Sequence, residues 1–315
     1  MSSAQVQQSV LSPAGVQAAS IHQLWSLMLW TTTVVFIVVI AFLVVGILRK
    51  GEGSQSSAAQ RSLSIAVSVG VAATALILIV FLAASIWTGR KLEAFQSNAV
   101  TVNVVGHQWW WEFEYEEDVP SRRVHTANEL HIPVNRPIVL KVTSRDVIHS
   151  IWVPNLQGKR DLIPGYTTAI SLEADQPGIF RGQCAEFCGM QHAHMAFDIV
   201  AEPLADFDRW LNAMRQPAPP PTTSEATHGR DVFRYARCAG CHAVQGTDAA
   251  GLLGPDLTHL ATRSTLGAGT LPNTPDELAR WIRDPQVIKP GNQMPANPLP
   301  DDDLKALVAY LETLR

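Results

Sequence analysis

Two stretches of this chain, residues 24–48 and residues 62–89, contain no charged side chain. About 20 apolar residues suffice for a helix to cross the hydrocarbon core of a bilayer, and both stretches are longer. Lipid offers no partner to backbone N–H and C=O groups, so a spanning segment must close its own hydrogen bonds as a helix. One such run could be the core helix of a soluble domain. Two within the first 90 residues predict a transmembrane hairpin. A signal peptide is the poorer reading, because the first run exceeds a signal h-region and no Lys or Arg precedes it. No cysteine precedes Cys184, which leaves no lipid-anchor cysteine.

Charge orients the hairpin. Arg49, Lys50 and Arg61 lie between the runs, residues 1–23 hold no Lys or Arg, and Arg90 and Lys91 follow the second run. The positive-inside rule then places the loop 49–61 in the cytoplasm and both ends of the chain outside. The net charge of −4 over 315 residues gives no reason to expect nucleic acid as a partner.

After the hairpin, residues 95–215 read as an all-β domain. The run "TVNVVGHQWWWEFEY" and the shorter "ELHIPV", "IVLKVTS", "TTAISLEA" and "HMAFDIV" are β-branched or aromatic and separated by Pro, Gly, Asn and Asp. Many short strands predict a sandwich or barrel, closed by a helix over "EPLADFDRWLNAMR". Residues 216–227, "QPAPPPTTSEAT", have four prolines in the first six positions and read as an extended linker, able to span roughly 37 Å at about 3.1 Å per residue. Residues 228–315 read as a small all-α domain, with helices over "HGRDVFRY", "DELARWIRDP" and "DDDLKALVAYLETLR". Its core is poor in aromatics and needs something large to pack around.

The sequence "CAGCH" (Cys238, Cys241, His242) in that last domain matches the attachment motif of a c-type haem. Both thiols would join the porphyrin and His242 would bind the iron. A redox dithiol would want a βαβ setting, and a zinc site a second cysteine pair in the domain. Neither is present in the sequence. His/Met ligation marks electron-transfer cytochromes c. Met294, in the polar loop "KPGNQMP", is the only methionine after the motif, with His259 as the rival. Residues 225–315 resemble class I cytochromes c, with "GRDVF", "GPDL" and a C-terminal helix carrying Tyr310.

The other two cysteines fall in "RGQCAEFCGMQHAHMAFD", with the spacing C-x-E-x-C-x3-H-x2-M. Thiolate, imidazole and thioether together favour copper. A mononuclear site needs one cysteine, whereas Cys184 and Cys188 can each bridge two coppers, leaving His192 and Met195 as terminal donors. A second histidine is then required, and "RDVIHSIWVP" offers His149 after an apolar strand. The remaining axial donor would be a backbone oxygen, with Glu186 between the two thiolates. His194 and Met190 fall outside this set by spacing, and His107, His125, His131 and His228 read as structural.

Residues 1–213 resemble subunit II of haem–copper cytochrome c oxidases, through the hairpin, "GHQWWWEFEY", "HSIWVP", "IPG" and the cysteine loop. The resemblance implies a cupredoxin domain with a binuclear copper A held by His149, Cys184, the Glu186 carbonyl, Cys188, His192 and Met195. It implies that the Glu186 carboxylate faces a magnesium ion shared with subunit I. It also implies that electrons enter through Trp109, whose alternative role is surface packing. Lys159 and Asp161 resemble polar residues near the subunit boundary. With the fused cytochrome, the implied protein is of caa3 type. Electrons would pass from haem c to copper A and on to haem in subunit I, which reduces O2 to water with proton translocation. Subunit III and a donor, a soluble cytochrome c or an upstream respiratory complex, would complete the partners. The place would be a bacterial inner membrane, with both later domains on the periplasmic side.

Two features depart from the family pattern. The second apolar run begins "QRSLSIAVSVGV", without the glutamate many oxidase subunits II carry there; the nearest preceding carboxylate is Glu52. This keeps open a copper A-containing nitric oxide reductase subunit, beside a membrane-anchored electron carrier. Secondly, Arg145 stands next to Asp146 where two acidic residues often dock a soluble cytochrome. Asp146, Glu112, Glu114, Glu116, Glu117 and Asp118 would remain for that purpose.

Overall fold

A computed structural model of the chain describes residues 5–48, 57–92 and 99–315. Two long helices, α1 (Val16–Leu48) and α2 (Ser57–Leu92), account for most of one compact unit, Ala19–Ala94. At about 1.5 Å per residue each exceeds the ~30 Å hydrocarbon core. Large apolar side chains are exposed along both, Trp30, Phe42, Leu63 and Ile79 among them, as befits a helix whose solvent is lipid. The hydroxyls in these runs are satisfied locally: Thr31, Thr32, Thr33 and Thr74 donate to carbonyls one turn back. Both helices outrun the uncharged stretches, since α1 begins eight residues before Leu24 and Arg61 lies within α2. Arg49, Lys50 and Glu52 lie outside the described residues.

The second unit contains the N-terminal residues up to Ala18 and everything from Phe95 onward. Its β part is a sandwich of two mixed sheets. One has the order β4 (Val124–Ala127), β3 (Trp110–Tyr115), β2 (Val100–His107), β6 (Ile138–Ser144), β9 (Thr168–Leu172). The other runs β5 (Glu129–Pro133), β11 (Ala196–Glu202), β10 (Gly178–Cys184), β7 (His149–Trp152), β8 (Arg160–Leu162). Alternation builds the core between them: Val102, Val104, Trp111, Phe113, Tyr115, Ile138, Leu140 and Val142 point inward and are buried, while Glu112 and Glu114 face out. The continuous run read as "TVNVVGHQWWWEFEY" is thus a hairpin, β2 against β3, turning at Gln108–Trp109.

The N-terminal segment is stitched to this sandwich. Strand β1 (Val6–Gln7) pairs in parallel with β10. The buried Asn155 accepts from the Ser9 N–H and donates to the Ser12 carbonyl. Helix α3 (Leu204–Met214) follows β11, and Trp210 stacks on His131, which is itself bonded to Glu129 and Glu202.

The helical part begins with α4 (Ser224–Tyr235), whose first turn is capped by the Thr223 side chain accepting from the Ala226 N–H. The helix therefore takes in the last four residues of the expected linker. Nor is the linker a free tether: Ala218 N–H bonds the Gln245 carbonyl. Helix α7 (Asp301–Leu311) crosses α4 at Gly229, where a Cβ would sit 1.9 Å from the Ala306 carbonyl oxygen. The small hairpin β12 (Thr265–Leu266) and β13 (Leu271–Pro272), then α5 (Pro275–Arg283) and α6 (Pro285–Ile288), close the domain around a cavity.

Candidate functional site

Strand register brings the copper-type donors together. Cys184 ends β10 and pairs with Ile151 of β7. His149 lies two residues from Ile151 and so shares its face of the sheet. The loop from Cys184 to Met195 returns directly into β11, and the Cys184 N–H bonds the Met195 carbonyl. Gly106 makes room for the imidazole, since a Cβ there would lie 2.8 Å from the His149 ring.

The result is a buried cluster. The two sulfurs are 3.7 Å apart, far beyond the ~2.05 Å of a disulfide. His149 Nδ1 lies 3.9 Å from Cys184 Sγ, and the Glu186 carbonyl oxygen 3.2 Å from the same sulfur. His192 Nδ1 lies 3.6 Å and Met195 Sδ 3.8 Å from Cys188 Sγ. All six sequence-predicted donors therefore converge, and the Glu186 side chain is exposed while its carbonyl faces inward. The two thiols cannot both ionise without a cation. Cys184 is pulled down to about 3 by its hydrogen bond with Cys188, and Cys188 is pushed up by the same bond. A soft cation bridging them resolves that conflict, so this donor set fits copper.

Asp146, an acid read from the sequence as available for docking, lies against these donors. Its carboxylate accepts from His149 Nε2 at 2.8 Å and from the Gln108 and Val147 N–H groups. Despite a burial penalty, these bonds hold it below the usual carboxylate range. It orients a candidate ligand, as partners of metal-bound histidines do, with Nδ1 turned toward the sulfurs. The acidic run is likewise engaged within the chain: Glu112 with His107, Glu114 with Arg123 and His125, Glu116 with Lys141, Glu117 with Arg215. His194 bonds Gln191 through Nδ1.

The second site is a cavity of about 250 Å³, lined by Cys241, His242, Met294 and apolar residues such as Leu257, Leu260 and Ile282. Cys238 opens the turn that leads into it. His242 Nδ1 bonds the Pro255 carbonyl at 2.7 Å, which fixes the tautomer and leaves Nε2 for a metal. Burial lowers its pKa and favours the neutral ring. Gly254 lies against this ring, where a Cβ would come within 2.6 Å. Arg263, also in the lining, is half-buried, and its buried Nε has no hydrogen-bond partner, a donor suited to an anionic substituent. Apolar walls, one neutral imidazole, one thioether and a guanidinium with a buried Nε donor fit a haem. His259 points elsewhere, its Nε2 3.1 Å from the Met214 carbonyl.

The two sites meet at Trp109. Its ring is 9% exposed and lines the cavity, and its indole N–H donates to the Cys188 carbonyl at 2.9 Å. Lys289, which carries no motif, fills the seam beneath it; the bare sequence offers no signal for either Lys289 or the Asp146–His149 pair.

Comparison with known proteins agrees with this division. The family described as cytochrome C oxidase subunit II, periplasmic domain, matches residues 100–202, and the family cytochrome c matches residues 226–315. A cytochrome c oxidase subunit 2 of Alkalihalophilus pseudofirmus is 38% identical over 317 residues, covering 98% of this chain and 91% of its own. One of Bacillus sp. PS3 is 35% identical over 69% of this chain and 63% of its own. A crystal structure of the periplasmic domain of subunit II from Bradyrhizobium japonicum aligns at 30% identity and a TM-score of 0.35, covering 37% of this chain and 93% of that one. The relatives are oxidase subunits, the first family implies copper A and the second haem, and the two apolar helices fit a membrane anchor. The chain belongs to the cytochrome c oxidase subunit II family, as a member that continues into a cytochrome c domain.

Proposed function

We propose that this subunit takes in electrons at a haem c held by Cys238, Cys241, His242 and Met294. It then delivers them, by way of a copper A pair held by His149, Cys184, Glu186, Cys188, His192 and Met195, to haem in subunit I. Bound there, the haem and the copper pair would supply one-electron storage. The protein's own residues do the rest. Asp146 holds the His149 ring, the Pro255 carbonyl holds the His242 ring, and Trp109 spans from the cavity wall to the Cys188 carbonyl. That span is the observation that carries the reading, because it joins the two donor sets through one side chain.

The exposed Glu186 carboxylate is the group we assign to a magnesium ion shared with subunit I. The hairpin sits in a bacterial inner membrane with both soluble domains on the periplasmic side, and subunit III completes the complex. Because the acidic run is bonded within the chain, a soluble cytochrome c or an upstream respiratory complex would deliver electrons to the cytochrome domain rather than to the sandwich.

Purified complex should show haem c and haem a in reduced-minus-oxidised spectra and consume O2. Turnover of NO in place of O2 would overturn the oxidase assignment, and isolation as a single chain with only haem c and copper would indicate a free carrier. Met294→Ala should remove the methionine–iron absorption at the red edge of the haem spectrum while leaving the haem covalently attached. Its retention would point to another sixth ligand.

A further inference from the structure

Lys289 ends the segment that leads into the Met294 loop, and it is 2% exposed, in a residue type almost never buried unless paired. Its Nζ donates to three backbone carbonyls: Trp109 at 2.7 Å, His194 at 2.8 Å and Gly267 at 3.0 Å. Those fill the three donors of an ammonium. Burial pulls its pKa down to about 7, and the three acceptors oppose that by favouring the charged form.

The positions of these carbonyls are informative. Trp109 belongs to the β2–β3 turn and reaches Cys188 through its indole. His194 immediately precedes Met195 at the end of the cysteine loop. Gly267 belongs to the β12–β13 turn and lines the haem-type cavity. One nitrogen thus ties both walls of the seam together. Around it, Gln191 Nε2 donates to the Pro290 carbonyl at 2.7 Å and the Ala196 N–H to the Ala268 carbonyl at 3.1 Å. Gly291, at φ +81°, lies under Met190, where a Cβ would sit 3.2 Å from the sulfur.

We infer that Lys289 is a positioning residue for electron transfer between the two centres, fixing the Met294 loop and the Trp109 turn in one register against the cysteine loop. The inference rests on the assignment of haem c and copper A made above. A residue that only stabilised the fold would, on removal, lower the yield or disturb the centres. A positioning residue slows transfer between centres that remain intact. Misplacement by about 1 Å can cost reacting groups up to 10²-fold in rate, so a loosened seam should slow transfer on the order of tenfold.

The test uses the full chain in its complex. In the wild type, an amine-acetylating reagent should label exposed Lys305 quickly and leave Lys289 unmodified until the protein is denatured. Labelling of Lys289 as fast as Lys305 would overturn the inference without reference to either metal centre. In K289M, haem c reduced by a light pulse should pass its electron to copper about tenfold more slowly, with the haem c spectrum and near-infrared copper band unchanged. An unchanged rate with both bands present would also overturn it. K289Q, which keeps two N–H donors, should fall between the two and serves if K289M does not accumulate. Absence of either band from the wild type would instead overturn the functional assignment and this inference with it, a result distinct from altered coupling between intact centres.

Discussion

Replacing His149 by alanine should abolish the near-infrared copper band and leave the haem c spectrum intact. The imidazole is fully buried, its Nδ1 faces Cys184 and its Nε2 is held by Asp146. The loop from Cys184 to Met195 contributes only one other imidazole to the cluster, so no local histidine can replace it: His194 is exposed and bonded to Gln191. Asp146→Asn should give a milder loss, copper binding weakened by roughly 10–100-fold, because the ring stays but its orienting acceptor is weakened. Copper content by elemental analysis with the visible haem spectrum reads both variants. A normal copper band in His149→Ala would remove His149 from the ligand set.

The second large effect is structural. Gly229→Val should prevent accumulation of a haem-loaded cytochrome domain. A Cβ at this position would fall 1.9 Å from the Ala306 oxygen and 2.5 Å from its carbonyl carbon. The obstacle is backbone of α7, so no side-chain rotation relieves it and the two helices must separate. Overpacking of this kind costs about 3 kcal/mol or more, a large share of the stability of a domain this small. Asp231→Ala, exposed on the same helix, should leave haem content unchanged. Haem stain on a denaturing gel distinguishes the two, and equal haem content in Gly229→Val and wild type would contradict the helix crossing.

The parts of this molecule legible in the sequence are those written in local spacing. Uncharged runs, C-x-x-C-H and C-x-E-x-C-x3-H-x2-M each state a chemical requirement within a few residues. His149 was reachable because one histidine was missing from that requirement. What lay beyond reach depends on pairing between distant segments. Asp146 reads as a surface acid until the turn after β6 sets it against the His149 ring. Glu112 and Glu114 read only as surface acids, and it takes the β3–β4 register to show that they lie beside His125. Residues 1–23 read only as a segment on the extracytoplasmic side, whereas Val6–Gln7 adds a strand to β10. Lys289 is the extreme case: its partners are carbonyls, which every residue has, so no pattern of side chains could announce it.

The central claim is that one chain carries an electron from haem c to copper A. It is tested most directly by reducing haem c with a light pulse in the intact complex and following both centres. The expected result is that haem c reoxidises in the same kinetic phase in which the near-infrared copper band bleaches, at a rate independent of protein concentration. A haem c that stays reduced while the copper band bleaches from another source would contradict it.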